Sequence, residues 1–128
     1  MDDTAKKTST PFKPSGSPEL AAPTTPQFSG NTLKLADIGE YLEVGIQYNG
    51  QVPGQFAMVY INVINDNGST DSWYGGINIR DDNVNIKKFA VADVFNIISN
   101  KGNAELLYTV KFGEIEKESY YLELSVER

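Results

Sequence analysis

From Asn31 to the end of the chain, large apolar residues recur at every second position, the period of half-buried β-strands rather than of helices. Leu33 and Leu35 open the pattern. Leu42, Val44, Ile46 and Tyr48 continue it and stop at Asn49-Gly50, a pair that tolerates the backbone of a tight turn. Phe56 to Ile64 is an almost unbroken apolar run and reads as a central strand whose inner face is Ala57, Val59, Ile61 and Val63. A polar loop from Asn65 to Ser72 follows, then Trp73, Gly75, Ile77 and Ile79 alternate up to the turn Asp81-Asp82-Asn83. Between Val84 and Val91 the phase slips, since Val84 and Ile86 share one face and Phe89 and Val91 the other; a β-bulge at Lys87 or Lys88 would repair it. Ala104, Leu106, Tyr108, Val110 and Phe112 alternate most cleanly, and Tyr120, Leu122, Leu124 and Val126 finish the chain. Only Ala92 to Asn100 has helical spacing, in Val94, Ile97 and Ile98, with Asp93 to cap its start and Gly102 just past its end. About seven short strands with one helical crossover predict an antiparallel immunoglobulin-like β-sandwich, with Tyr108 as a candidate tyrosine of the corner type.

Residues 1–30 are different in kind. They hold all but one of the prolines, and their large apolar residues are only Met1, Phe12, Leu20 and Phe28. So little apolar surface does not offset the entropy of ordering a chain, and the segment reads as a disordered, Pro/Thr/Ser-rich or polyproline-like linker before a sandwich domain at 31–128. A partner motif around Phe12 is the functional alternative to a spacer, and Phe28 is placed to tuck against the domain edge.

The chain contains no histidine and no cysteine. It therefore lacks an imidazole base for neutral pH, a thiolate nucleophile, zinc ligands of the usual kind and any disulfide. Acidic residues outnumber basic ones 17 to 11, for a formal charge of −6, which speaks against nucleic acid or anionic lipid as a partner. No apolar run is long enough to insert into a membrane as a helix, and Lys6 and Lys7 are not followed by the apolar stretch of a secretory signal. The chain then belongs in the cytoplasm, leaves by another route, or is a fragment of something larger.

The order of elements resembles the tandem immunoglobulin-like modules of large, surface-associated, adhesin-like bacterial proteins. The stretches that carry the likeness are Tyr48-Asn49-Gly50 with Gly54-Gln55, then Phe89-Ala90-Val91-Ala92-Asp93-Val94 leading to Ile97 and Ile98. Gly102 to Val110 and Ser119 with Leu122, Leu124 and Val126 complete it. The sequence departs from those modules in having Tyr60 where they often carry Trp, and in holding one copy rather than an array. The resemblance implies a structural or adhesive module at a cell surface or outside the cell, with neighbouring domains, and it transfers no catalytic residue.

Trp73 and Tyr74 stand beside a loop with Asp66, Asn67 and Asp71, and Tyr60 and Met58 lie on the outward face of the central strand. Aromatic rings next to amides and carboxylates are what a sugar-binding surface uses, whereas the plainer reading makes Trp73 a core residue. Calcium could be held by oxygens of Asp66, Asn67 and Asp71, or of Asp81, Asp82 and Asn83, but neither set has EF-hand spacing and acidic turn residues are ordinarily turn formers. The acidic run Glu114, Glu116 and Glu118, balanced by Lys111 and Lys117, reads as a solvated hairpin rather than a paired-carboxylate site. Gly75-Gly76 marks a bulge or close packing. The sequence thus predicts a non-enzymatic immunoglobulin-like structural or adhesive module with no catalytic residue, metal or cofactor and a protein or glycan ligand. The alternative is a carbohydrate-binding module using Trp73, Tyr74 and Tyr60.

Overall fold

The run Phe56 to Ile64 is central because both of its faces are apolar, and it forms the middle of the larger of two sheets. The structure, a computed structural model, describes residues 5–12 and 17–128. Strand β4 (Phe56–Asn65) pairs antiparallel with β5 (Thr70–Asn78) on one side and with β7 (Lys101–Phe112) on the other. Along its far edge β7 pairs with β8 (Ile115–Glu118) and then β9 (Leu122–Glu127), and β2 (Thr32–Lys34) lies parallel to β9. The outer edge of β5 carries β1 (Lys6–Thr8). The second sheet is the antiparallel pair β3 (Tyr41–Ile46) and β6 (Asn85–Ala90). The chain crosses between sheets from β2 to β3, from β3 to β4, from β5 to β6 and from β6 to β7, so the fold is an all-β sandwich. Helix α1 (Val91–Val94) sits at the last crossing.

One apolar cluster joins the two sheets. Ala57, Val59, Ile61 and Val63 of β4, the predicted inner face, are fully buried. They meet Leu42, Val44 and Ile46 of β3, Phe89 of β6, and Leu106 and Tyr108 of β7. Burial of this kind stabilises by roughly 25 cal/mol per Å² of apolar surface removed from water.

Four local expectations are corrected. There is no bulge in β6: β3 and β6 pair residue for residue from Tyr41↔Ala90 to Ile46↔Asn85. The phase slip has another cause, for Asn85, Lys87 and Phe89 point inward while Val84 is exposed. The stem of Lys87 lies over Gly75, where an added Cβ would stand 2.7 Å from Lys87 Cε, so the doublet Gly75-Gly76 serves close packing. The helix is a single turn without a side-chain cap, and Asp93 is exposed. Gly102 does not end it but lies within β7. The carbonyls after this turn are instead bonded by Arg128, whose Nε donates to Ile98 O at 2.5 Å and whose guanidinium nitrogen donates to Phe95 O at 2.8 Å. Finally, Tyr108 is not a corner tyrosine bonded a few residues upstream; its hydroxyl donates to Ala21 O at 2.6 Å.

Within 1–30, residues 1–4 and 13–16 lie outside the described residues. The others run along the sandwich, where Leu20 joins the buried cluster and Phe28 packs against it. Leu20 is buried beside Ser119, Thr24 bridges Gly45 on the free edge of β3, and Gln27 bonds the backbone of Ile38, Tyr41 and Glu43. The described residues of the segment thus supply an edge strand, β1, and one core side chain, Leu20, to the sandwich.

Candidate functional site

The two faces of the large sheet divide the residues singled out in the sequence. Directly opposed residues share a face, and Trp73 opposes Ile61, so Trp73 points inward and packs against the core. Tyr74 opposes Tyr60 on the outer face. The expected aromatic trio is therefore not one surface: Tyr60 and Tyr74 stay together, with ring centres 6.4 Å apart, and Trp73 is on the other side of the sheet. Asp66 and Asn67 occupy the exposed turn between β4 and β5, where Asn67 Oδ1 accepts the Ser69 N–H at 2.9 Å. Asp71 belongs to the inner face and pairs with Lys7 of β1 at 3.2 Å. In the second acidic turn Asp81 Oδ1 accepts the Asn83 N–H at 3.0 Å, while the Gln51 amide donates to the carbonyls of Asp81 and Asn83. Both turns use their polar side chains to shape backbone. Among the described residues there is no group of three or more acidic side chains that could hold a metal ion.

Inward of β5 the sheets part. Because β6 is the last strand of its sheet, no described strand pairs with its outer edge. Between that edge and Gly76–Asn78 of β5 lies an open cleft of about 1180 Å³. Trp73 forms part of its wall, Tyr41 and Val84 expose apolar surface at its rim, and Arg80 and Lys88 bring positive charge to an acidic chain. Lys88 Nζ lies 5.9 Å from the centre of the Tyr41 ring. The indole Nε1 of Trp73 is buried with no hydrogen-bond partner among the described residues. Leaving such a donor unpaired ordinarily costs about 1–3 kcal/mol.

The outer face is the second candidate surface, and the sequence reading missed most of it. Leu107 and Thr109 are buried there, 2% and 4% exposed, although Leu107 takes no part in the central cluster. Phe12 stacks on Tyr60 with ring centres 4.3 Å apart. Beneath it Ser72 Oγ donates to Asn62 Oδ1 at 2.8 Å, and Asn62 Nδ2 donates to Phe12 O at 3.2 Å. The signal was present in the continuous runs Phe56–Ile64 and Leu106-Leu107-Tyr108, since a strand apolar on both faces must be covered on both.

The ionisable groups that depart from their ordinary values are tyrosines. Burial raises Tyr48, Tyr60, Tyr108 and Tyr121; Tyr60 is held down in part by a hydrogen bond with Thr109, and Tyr108 is raised further by Tyr48. The sign follows from linkage. Below about pH 10, the ordinary value, folded and unfolded chains both keep the Tyr108 proton; above it the unfolded chain releases its proton first, and stability falls. Unfolding free energies measured by urea titration from pH 8 to 11 should decline from pH 10 upward, by up to about 1.4 kcal/mol per pH unit for each proton so retained. The decline should be shallower in Tyr108→Phe; an equal slope in that variant would remove Tyr108 from the account.

The chain matches no protein-family model, no curated protein and no solved structure.

Proposed function

We propose that the chain is a non-enzymatic, immunoglobulin-like adhesive module of a bacterial surface, secreted or toxin-type protein, and that it holds its partner in the cleft between β5 and β6. The observation that carries this reading is that cleft: about 1180 Å³, bordered by the edge of β6 with which no described strand pairs, and walled in part by Trp73. An unpaired strand edge offers main-chain donors and acceptors to an extended segment, and exposed Tyr41 and Val84 supply the apolar contact that gives affinity. The resemblance to tandem adhesin-like modules supports the same class of function. The carbohydrate-binding alternative keeps Trp73 but loses Tyr60 and Tyr74 from its side, which the opposed registers place elsewhere.

The test is to apply the full chain to arrays of extracellular proteins and of glycans. Retention on a protein ligand is expected, weakened about tenfold by Val84→Asp, the ~1.4 kcal/mol of one effective interface side chain. Retention on glycans alone, lost in Trp73→Phe, would replace the protein-ligand reading by the carbohydrate one. Retention on neither array overturns the adhesive role.

A further inference from the structure

The cleft beside β6 is bordered by a strand edge whose main-chain groups point in directions that the ladder itself fixes. We propose that this edge pairs with an extended segment in which apolar and acidic residues alternate, taken up as an added strand. The inference rests on the adhesive reading above and names the chemistry of its partner.

The Val91 N–H donates to Glu40 O at 2.9 Å. Glu40 opposes Val91 by continuation of the register Tyr41↔Ala90, and in an antiparallel ladder hydrogen-bonded pairs alternate with non-bonded ones. Leu42↔Phe89, Val44↔Lys87 and Ile46↔Asn85 are therefore the bonded pairs. Gly45, which opposes Ile86, agrees with this phase, for it exchanges both of its main-chain bonds with Thr24 on the far side of β3. Ile86 and Lys88 thus turn their N–H and C=O groups away from β3, toward the edge along which no described strand lies. Main-chain groups presented in this way are the template for strand addition.

An added strand has two faces, and each is matched by what lies beside it. Directly opposed residues share a face, so the residue opposite Lys88 would stand beside the exposed Lys88 side chain. Lys88 has the Tyr41 ring at 5.9 Å, and among the described residues neither Lys88 nor Arg80 has a carboxylate at ion-pair distance. Of the two carboxylates that line the cleft, Asp81 accepts the Asn83 N–H in shaping its turn and Asp93 lies on α1. The edge thus offers positive charge in a chain of formal charge −6, and an acidic residue fits opposite Lys88. The neighbouring positions of the added strand turn to the side of Trp73 and Ile77 on the cleft wall, where apolar side chains fit. A lysine on an edge guards against pairing with a like-charged strand, so the fit is to an acidic segment rather than to an identical edge.

Short synthetic peptides test this on the full chain, one alternating valine with glutamate and one alternating valine with lysine. The valine–glutamate peptide should slow hydrogen exchange, followed by NMR, about tenfold or more at the Ile86 and Lys88 N–H. The Lys87 and Phe89 N–H, already bonded within the ladder, should change little. Lys88→Glu should weaken binding of that peptide by about tenfold and favour the valine–lysine one. Ile86→Pro removes an outward N–H and no ladder bond, so it should abolish binding while urea unfolding stays cooperative. If the slowing falls elsewhere than on Ile86 and Lys88, pairing on this edge is overturned, whether or not the proline variant folds. Equal binding of the two peptides overturns the acidic preference. Binding of neither, with a protein ligand still retained on the arrays, overturns the acidic strand and leaves the adhesive reading standing; loss of retention on the arrays overturns that reading instead.

Discussion

Replacing Tyr108 by alanine should lower the free energy of unfolding by about 3–5 kcal/mol, as for other large aromatic side chains removed from a core. Tyr108 is fully buried in β7, and its ring lies 6.0 Å from that of Tyr48 across the sandwich. Its hydroxyl reaches out of the apolar cluster to Ala21 O. Two losses are therefore combined, and Tyr108→Phe separates them. The phenyl ring keeps the packing and leaves the Ala21 carbonyl without its donor, for a cost of about 1–2 kcal/mol. The phenylalanine variant should also loosen the strap of residues that follows Leu20. Hydrogen exchange is expected to quicken at the Tyr120 N–H, which donates to Leu20 O, and at the Gly45 N–H, which donates to Thr24 O. Central amides of β4 should keep their protection. If Tyr108→Phe unfolds with the alanine variant, or leaves those two amides unchanged, the hydroxyl does not tie the segment to the core.

Tyr108 also shows what the sequence could and could not disclose. Its place on the inner face follows from period two, and every member of the predicted inner face of β4 is fully buried. Period two is a local property, so it survives without knowledge of partners. The hydroxyl's acceptor lies 87 residues away, in a stretch whose composition says only that it has no core of its own. The same holds for Phe12 on Tyr60 and for Asn62 on the Phe12 carbonyl. A polar or proline-rich segment can be held by a few isolated contacts, and no periodicity records them.

The regularity of β6 is hidden in the sequence for a related reason. Inward Lys87 breaks the apolar alternation because its long stem fills space left by Gly75, a pairing between strands of different sheets. A lysine stem counts as apolar in packing and as charged in a pattern, so the strand looked bulged when it is regular. The candidate site suffered from register. Trp73 and Tyr74 are adjacent in sequence, and adjacency in a strand means opposite faces. That much was legible, and it argued against one aromatic surface. Which face would be open, and that the cleft would form beside β6, depended on the large sheet having an edge with β1 only part of the way along it.

Gly102→Val should be the second severe substitution, and for a reason unrelated to backbone conformation. Gly102 opposes Asn65 where β7 begins to pair with β4. A side chain there would collide with the Ile64 carbonyl oxygen and stand 2.7 Å from Ile98 Cδ1 and 3.1 Å from Asn65 Cα. Two of these three neighbours are backbone and the third is fully packed, so none can swing aside, and the end of the β4–β7 ladder must open. Overpacking in a filled interior costs typically about 1–3 kcal/mol, which sets the expectation for Gly102→Ala, with Gly102→Val above it. Gly76→Ala is the contrasting case. Its new Cβ also collides, but with the ring of Phe56, which is 43% exposed and can turn into solvent. That variant should stay within about 0.5 kcal/mol of the parent. Urea denaturation of the three variants decides the matter, since close approach to backbone and close approach to a mobile ring predict different costs for the same added methyl group. Equal losses for Gly102→Ala and Gly76→Ala would show that the ladder yields at Gly102 as readily as the ring does at Gly76.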